Sequence, residues 1–241
     1  MGTLINIFAI LAGAGIGVLL GHRLPPKMSE TLTDAMGLVV LVIGALNLQS
    51  LGSEEFVGAV GPSLTLLVVL GALLLGGVTG SLLNIEQRLE DFGAWLQKKS
   101  SGQGDKQKFI DGFVNASLLF TIGPMAVLGA LQDGLGQGFE ILALKSTLDG
   151  FTSVAFAATM GWGVAFSAIP VGLWQGLLTV LALYAGSLMG PAIVAAITAT
   201  GGILLLGTGL RLLKIRMVSV ANLLPALVFA PLITLLVASL R

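Results

Sequence analysis

Long apolar stretches recur along this chain of 241 residues, and they constrain its fold more than any other feature. A helix that crosses the hydrocarbon core of a bilayer needs about 20 predominantly apolar residues. Backbone polar groups inside lipid are satisfied only in helices and closed barrels, and these stretches have the length of helices. The sequence therefore predicts an all-α, polytopic transmembrane helix bundle of about eight spans, with residues 1–241 as a single integral membrane domain. The predicted spans are residues 4–21, 32–48, 62–83, 109–131, 147–168, 171–190, 192–210 and 218–240.

The composition excludes several classes of function. Only 10% of the residues are charged and 55% are hydrophobic, whereas soluble domains carry about 25% charged residues. The formal net charge is zero, so no nucleic-acid partner is indicated. The chain has no cysteine and one histidine, which argues against thiolate and multi-histidine metal sites. No phosphate-binding loop and no Ser/His pairing occurs. We therefore expect the lipid bilayer as partner, no metal, no cofactor and no enzymatic activity.

Positive charge alternates between the predicted loops. Residues 22–31, 84–108 and 211–217 contain Lys and Arg, whereas residues 49–61 and 132–140 contain only acidic charges. The positive-inside rule places the three basic loops in the cytoplasm and the N-terminus outside. Within 84–108, apolar residues at helical spacing predict an amphipathic helix followed by a linker. That helix either lies along the interface or continues the third span out of the bilayer.

The two ends of the chain contain similar glycine patterns. GVLLG at 17–21 resembles GSLMG at 186–190, and GLVVLVIG at 37–44 resembles GILLLGTG at 202–209. With the predicted topology, residues 1–83 and 171–241 run through the membrane in opposite senses. Inverted repeats of this kind are a recurrent architecture of secondary transporters. The alternative is coincidence, because glycine-spaced aliphatic helices are common wherever membrane helices pack closely.

Between these ends, residues 109–168 contain a concentration of polar groups, and placing such groups at membrane depth costs free energy. Asn115 lies one turn beyond Asp111 on the same face of the fourth span. The Thr121, Gly123 and Pro124 region then interrupts this span, since proline cannot donate to the carbonyl four residues earlier. A broken helix frees backbone groups that can bind an ion or solute, although a simple kink is the alternative.

The fifth span contains Lys145, Ser146 and Asp149, and Gln132 and Asp133 lie in the turn before it. Lys145 and Asp149 are four residues apart, so they share a helix face. Polar groups at membrane depth are a hypothesis of function by default. Three interpretations stay open: a binding site, a structural ion pair, or a lysine that reaches the membrane surface. It also stays open whether residues 138–146 extend this span or form a re-entrant segment.

Four motifs carry a resemblance that covers essentially the whole chain. FTIGPMAVLG at 120–129, QDG at 132–134, KSTLDG at 145–150 and NLLPAL at 222–227 resemble the YqgA/YdfK-like bacterial inner-membrane proteins. The resemblance implies a multi-pass protein of the bacterial plasma membrane. That family is one of unknown function, so it assigns no role to individual residues.

The sequence favours a secondary transporter of a small solute or ion, with a midplane site at the broken span and Lys145/Asp149. In this hypothesis Asp149 is the coupling carboxylate and Lys145 is its partner. A channel formed by a homo-oligomer is one alternative. The other is a membrane scaffold or partner subunit that docks through residues 84–108.

Overall fold

The protein was analysed as a computed structural model that describes residues 1–21, 25–99, 105–185 and 190–240. This part of the chain is helical apart from short connections. The helices are α1 (Gly2–Gly21), α2 (Pro26–Asn47), α3 (Glu54–Val60), α4 (Thr65–Leu82), α5 (Ile85–Lys99), α6 (Lys106–Ile122), α7 (Pro124–Gly134), α8 (Glu140–Met160), α9 (Gly163–Phe166), α10 (Ala168–Ala185), α11 (Pro191–Leu212), α12 (Val220–Leu223) and α13 (Ala226–Ser239), with a 3₁₀ turn at Leu48–Gly52. The predicted all-α class is confirmed.

Seven helical segments in the described ranges are long and apolar enough to span a membrane. Helices α6 and α7, here named the bent span, are long and apolar enough only as a pair, and this pair is bent by 61° at the break between them. The prediction placed the fifth span at 147–168, but α8 occupies Glu140–Met160 and ends where Gly161 has a φ of 77°. Residues 140–146 are therefore the first turns of α8 and not a re-entrant segment.

Glycine contacts establish the relative direction of the spans. A Cβ added at Gly13, Gly17 or Gly21 of α1 would collide with successive carbonyl oxygens of α8, so α1 and α8 run parallel in close contact. Small residues at one-turn intervals permit this approach in membranes. Helix α4 packs antiparallel on α13, where Gly76 faces Ala226.

Four glycines of the second proposed match, Gly37, Gly44, Gly202 and Gly209, lie in the interface between α2 and α11. A Cβ at Gly44 would lie 2.8 Å from the Gly202 carbonyl oxygen, and a Cβ at Gly202 would lie 2.8 Å from the Gly44 carbonyl oxygen. Two helical turns further along α11, Gly209 faces Gly37 of α2, so the two helices are antiparallel. This contact is reciprocal, and the relation of the two segments as repeats stays a prediction. Residues 186–189 of the other proposed match lie outside the described residues.

The spans divide the connections between two faces of the bundle. Helix α5 lies on one face, here named the α5 face. The same face contains the connection at residue 84, the connection at residues 213–219, and the first residues of α2 and α6. Met1 and the 135–139 connection lie on the opposite face, here named the far face, where Met1 contacts Asp133. In the described residues, every Lys and Arg except Lys145 lies on the α5 face. Residues 22–24 and 100–104, which belong to the predicted basic loop and linker, lie outside the described ranges.

An ion pair between buried Arg211 and partly buried Glu86 anchors α5 to the bundle. Arg211, near the end of α11, contacts the Glu86 carboxylate, and the second Glu86 oxygen accepts a hydrogen bond from the Ala221 amide at 2.8 Å. The Asn222 side chain accepts from the Glu86 amide at 2.8 Å. Helix α5 therefore begins at a fixed point against α11 and α12, and Glu90, one turn further along α5, lies 3.4 Å from Arg211.

Candidate functional site

Lys145 and Asp149 form an ion pair inside the bundle. Both residues are buried, at 4% and 7% exposure, and Lys145 Nζ contacts Asp149 Oδ2. They lie one turn apart on α8, so the helix itself aligns them. Asp149 is near the middle of this helix, about 14 Å from its first residue at a rise of about 1.5 Å per residue. Burial of this pair therefore occurs at membrane depth.

Two carboxamides from neighbouring spans complete a polar network around this pair. The Asn6 side chain of α1 donates to Asp149 Oδ2 at 3.0 Å and to Gln175 Oε1 of α10 at 3.3 Å. Asn6 and Gln175 are fully buried. The network of Asn6, Lys145, Asp149 and Gln175, here named the core network, thus links α1, α8 and α10.

The core network has unused hydrogen-bonding capacity. Asn6 Oδ1, Gln175 Nε2 and the hydroxyl of buried Ser153 have no partner among the described residues. Buried polar groups are nearly always hydrogen-bonded, so three orphaned groups beside one ion pair are unusual. They provide an acceptor, a donor and a hydroxyl for a ligand or for a rearranged pair.

The bent span packs against this network. Lys145 Nζ lies 5.8 Å from the centroid of the Phe120 ring in α6. The Phe120 ring also stacks on Phe156 of α8, with 6.5 Å between centroids. Phe120 is three residues before the break at Gly123, so a change in the bend would alter the surroundings of Lys145.

Asn115 lies apart from the core network, in a cavity that opens on the α5 face. The cavity has a volume of about 720 Å³ and is bounded by α2, α6, α8 and α11. Asn115 is buried, and its Oδ1 has no hydrogen-bond partner in the described structure. Asp111 lines the same wall one turn nearer the surface. The predicted shared face of Asp111 and Asn115 is therefore the wall of a polar cavity.

The predicted break of the fourth span is present, but its polar groups point elsewhere. The Thr121 hydroxyl donates to the Ser117 carbonyl at 2.7 Å. Gly123 is extended, with φ −69° and ψ 148°, and Pro124 begins α7. A Cβ at Gly123 would meet nothing within 4 Å. Residues 121–124 thus separate α6 from α7 and do not contact the core network through a side-chain hydrogen bond.

The remaining predicted residues have structural partners. Gln132 donates to Glu140 at 3.1 Å and accepts from the Ile141 amide at 3.4 Å, at the start of α8. Asp133 accepts from the Met1 amine at 2.9 Å and from the Gly2 amide at 3.0 Å. The Ser146 hydroxyl donates to the Leu142 carbonyl at 2.6 Å. The structure therefore brings Lys145 and Asp149 together and leaves these three residues outside their network.

Neither Asn6 nor Gln175 was among the site residues predicted from the sequence. Asn6 is the only Asp, Asn, Glu, Gln, Lys, Arg or His in residues 1–21, and an isolated carboxamide in an otherwise apolar span was a usable signal. Its partner was not predictable, because that required the parallel contact of α1 with α8. In the described residues, no group of His, Cys, Asp and Glu side chains is arranged to hold a metal ion.

Comparison with known proteins places the chain among bacterial membrane proteins. Residues 1–235 match the family described as "Protein of unknown function (DUF554)". The chain is 31% identical over 233 residues to the "Uncharacterized membrane protein YdfK" of Bacillus subtilis, covering 96% of this chain and 94% of that protein. It is 33% identical to the "Uncharacterized protein YqgA" of Escherichia coli, covering 95% and 94%. No solved structure matches the chain significantly. The resemblance stated from the motifs is confirmed.

Proposed function

We propose that this chain, which belongs to the DUF554 family, is a secondary transporter that moves a small solute or ion across the bacterial plasma membrane. The single observation that carries this proposal is the core network of Asn6, Lys145, Asp149 and Gln175, with its orphaned polar atoms. Transporters couple ion movement to solute movement through ionisable groups of this kind at membrane depth.

Stabilisation of the fold does not by itself explain why an ion pair is present inside the bundle. A buried ion pair is often no better than apolar residues of similar volume, because two charges must be removed from water. Lys145 and Asp149 neutralise each other, yet Asn6 donates to the same Asp149 oxygen that Lys145 contacts. The arrangement therefore holds Asp149 with two donors that a bound proton or cation would displace.

In the proposed mechanism, Asp149 is the coupling carboxylate and Lys145 is its partner. A proton or cation on Asp149 removes the attraction that holds the Lys145 ammonium. Asn6 then loses a charged acceptor, and its amide is free to strengthen the contact with Gln175. Because these residues belong to α1, α8 and α10, loading of Asp149 alters the packing of three spans at once.

Two further features support this proposal. Alternating access in many transporters depends on inverted repeats, and the reciprocal contact of Gly44 with Gly202 is compatible with a two-fold relation between α2 and α11. The concentration of Lys and Arg on the α5 face favours a cytoplasmic α5 face and an N-terminus outside.

The test uses the full chain in proteoliposomes that contain a pH-sensitive dye or, in a parallel set, a sodium-sensitive dye. Gradients of sodium, potassium, amino acids, carboxylates and neutral polar solutes are applied in turn. We expect at least one gradient to drive proton or sodium movement, and we expect Asp149→Asn to abolish that coupling. Asp91→Asn is the matched control, because Asp91 is exposed on α5 and bonded only to Gln87 among described partners.

The outcomes separate the proposal from its alternatives. Coupled flux that survives Asp149→Asn would remove Asp149 from the mechanism. Conductance in planar bilayers without coupling would favour a channel. Absence of flux for every gradient, together with capture of a partner through α5, would favour a scaffold.

A further inference from the structure

Two cavities open at opposite ends of the same three spans. The cavity on the α5 face, here named the α5 vestibule, lies between α2, α6, α8 and α11. A second cavity of about 490 Å³, here named the far vestibule, lies between the end of α2, α7 and the start of α11. Helices α2 and α11 and the bent span α6–α7 contribute to both.

Each vestibule has a buried carboxamide with an unused atom. Asn115 in the α5 vestibule has an unpartnered Oδ1, which accepts hydrogen bonds. Asn47 in the far vestibule is 9% exposed and has an unpartnered Nδ2, which donates them. Thr198 lies beside Asn47 on the wall of the far vestibule. Buried polar atoms without partners are the expected lining of a site that a polar solute or water visits.

A short barrier separates the two vestibules. Ile122, the last residue of α6, is buried against Gly201 of α11, where a Cβ would lie 2.9 Å from both Ile122 Cγ2 and the Ile122 carbonyl oxygen. Gly201 is three residues from Thr198, and Ile122 is seven residues from Asn115. At a rise of about 1.5 Å per residue these separations are about 5 Å and 10 Å. The region between the two vestibules that is closed to a solute is therefore about 15 Å long, which is half of a hydrocarbon core of about 30 Å.

The barrier lies directly beside the break in the bent span. Gly123 and Pro124 interrupt the hydrogen-bond ladder immediately after Ile122. A helix end that is not continuous with the next helix can change direction without breaking further backbone bonds. Phe120, two residues before Ile122, contacts Lys145. The contact of Ile122 with Gly201 is thus placed where a change in the core network would reach it.

We infer that the solute path runs between α2, the bent span and α11, and that the contact of Ile122 with Gly201 closes it. The path takes a small polar solute with both donor and acceptor groups, which Asn47 and Asn115 bind from opposite ends. The core network lies to one side and does the coupling. This inference rests on the proposed function, but its test does not involve Asp149.

The absence of cysteine from the sequence gives the test a clean background. Single cysteines are introduced as Asn115→Cys and Thr198→Cys in the full chain. A charged, membrane-impermeant thiol reagent is then applied to one side of oriented membrane vesicles at a time. Lys98→Cys, on an exposed part of α5, identifies the α5 side, and Leu74→Cys, on the outer surface of α4, is the lipid-facing control.

We expect Asn115→Cys to react from the same side as Lys98→Cys, and Thr198→Cys to react from the other side only. Leu74→Cys should react from neither. Asn115→Cys that stays unreactive from both sides, or Thr198→Cys that stays unreactive from the side opposite to Lys98→Cys, would overturn the path. These results can fail while coupled flux through Asp149 persists, so the two proposals are tested separately.

The barrier is tested by combining Ile122→Ala with Thr198→Cys. Shortening the Ile122 side chain should add reactivity from the α5 side, by at least about tenfold over Thr198→Cys alone. Leu118→Ala, which removes a similar volume one turn earlier on α6, is the matched control and should leave the sidedness unchanged. Unchanged sidedness in the Ile122→Ala background would show that Ile122 does not close the path.

Discussion

Removing the ammonium of Lys145 should destabilise the protein more than most single changes. In Lys145→Met the side chain keeps its approximate length, but Asp149 loses its charged partner. Asp149 is buried, and its remaining hydrogen-bond donor is Asn6 at 3.0 Å. Asp149 would therefore be a buried carboxylate with one neutral donor.

The expected magnitude follows from that environment. Breaking a buried pair by removing one partner costs about 3–5 kcal/mol. For a chain of this size, 1 kcal/mol shifts the melting temperature by about 2–4 °C. Lys145→Met should therefore lower it by about 6–20 °C. The double variant Lys145→Met/Asp149→Leu removes both charges and leaves Asn6 bonded to Gln175, so it should unfold within about 4 °C of the parent.

The assay is thermal unfolding of the purified protein in detergent, followed by tryptophan fluorescence or circular dichroism. Asp149→Leu alone completes a double-mutant cycle, which should give an interaction energy above about 1 kcal/mol. Lys98→Met is the control, because Lys98 is exposed and surface changes are usually within about 0.5 kcal/mol. If the two single effects simply add in the double variant, Lys145 and Asp149 do not stabilise each other and the core network is not formed as described.

Two further changes test the packing that holds the site. Gly17→Ala should cost about 1–3 kcal/mol because its Cβ would collide with α8. Gly15→Ala is the control: its Cβ would meet open space, so this change should be neutral or slightly stabilising. Equal melting temperatures for the two variants would contradict the close contact of α1 with α8. Arg211→Ala should cost about 1–3 kcal/mol and increase proteolysis or hydrogen exchange in α5, since it leaves the partly buried Glu86 carboxylate without its cation. The Glu90 carboxylate is 3.4 Å from Arg211 and partly exposed, so Glu90→Gln should cost less than about 1 kcal/mol. A larger loss of stability in Glu90→Gln than in Arg211→Ala would show that the contact of Arg211 with Glu86 does not anchor α5.

The span architecture was largely predictable, because length and apolar character reflect the bilayer and not the tertiary fold. Boundaries were less certain. The fifth span was placed seven residues late because Glu140 and Lys145 make its first turns look polar, whereas Gln132 satisfies the start of α8 from the preceding helix. The angle at Pro124 could not be derived either, since proline predicts a break but tertiary packing sets its size.

The site was predictable only where its residues are close in sequence. Lys145 and Asp149 are one helical turn apart, so local geometry was enough to pair them. Asn6 joins them across a sequence separation of 143 residues, and that contact depends on which glycine face meets which span. Gln132 and Asp133 were grouped with the site because they are polar and near it in sequence, but the structure uses them to hold helix ends.

The separation of the core network from the two vestibules constrains how a transporter of this design would operate. The buried ion pair of α8 and its carboxamide partners on α1 and α10 lie to one side, whereas the two vestibules lie along α2 and α11, and the bent span contacts both groups. A solute in either vestibule does not contact Asp149 directly, so coupling would require movement of α6 near Phe120. Loading Asp149 changes the environment of Lys145, and Phe120 packs against that ammonium. The break at Gly123 lets this change reach Ile122 without bending an intact helix. In the proposed mechanism, the buried polar groups of the central region and the break in its helix would act together: the ion pair would supply a state that can change, and the break would transmit that change to the barrier.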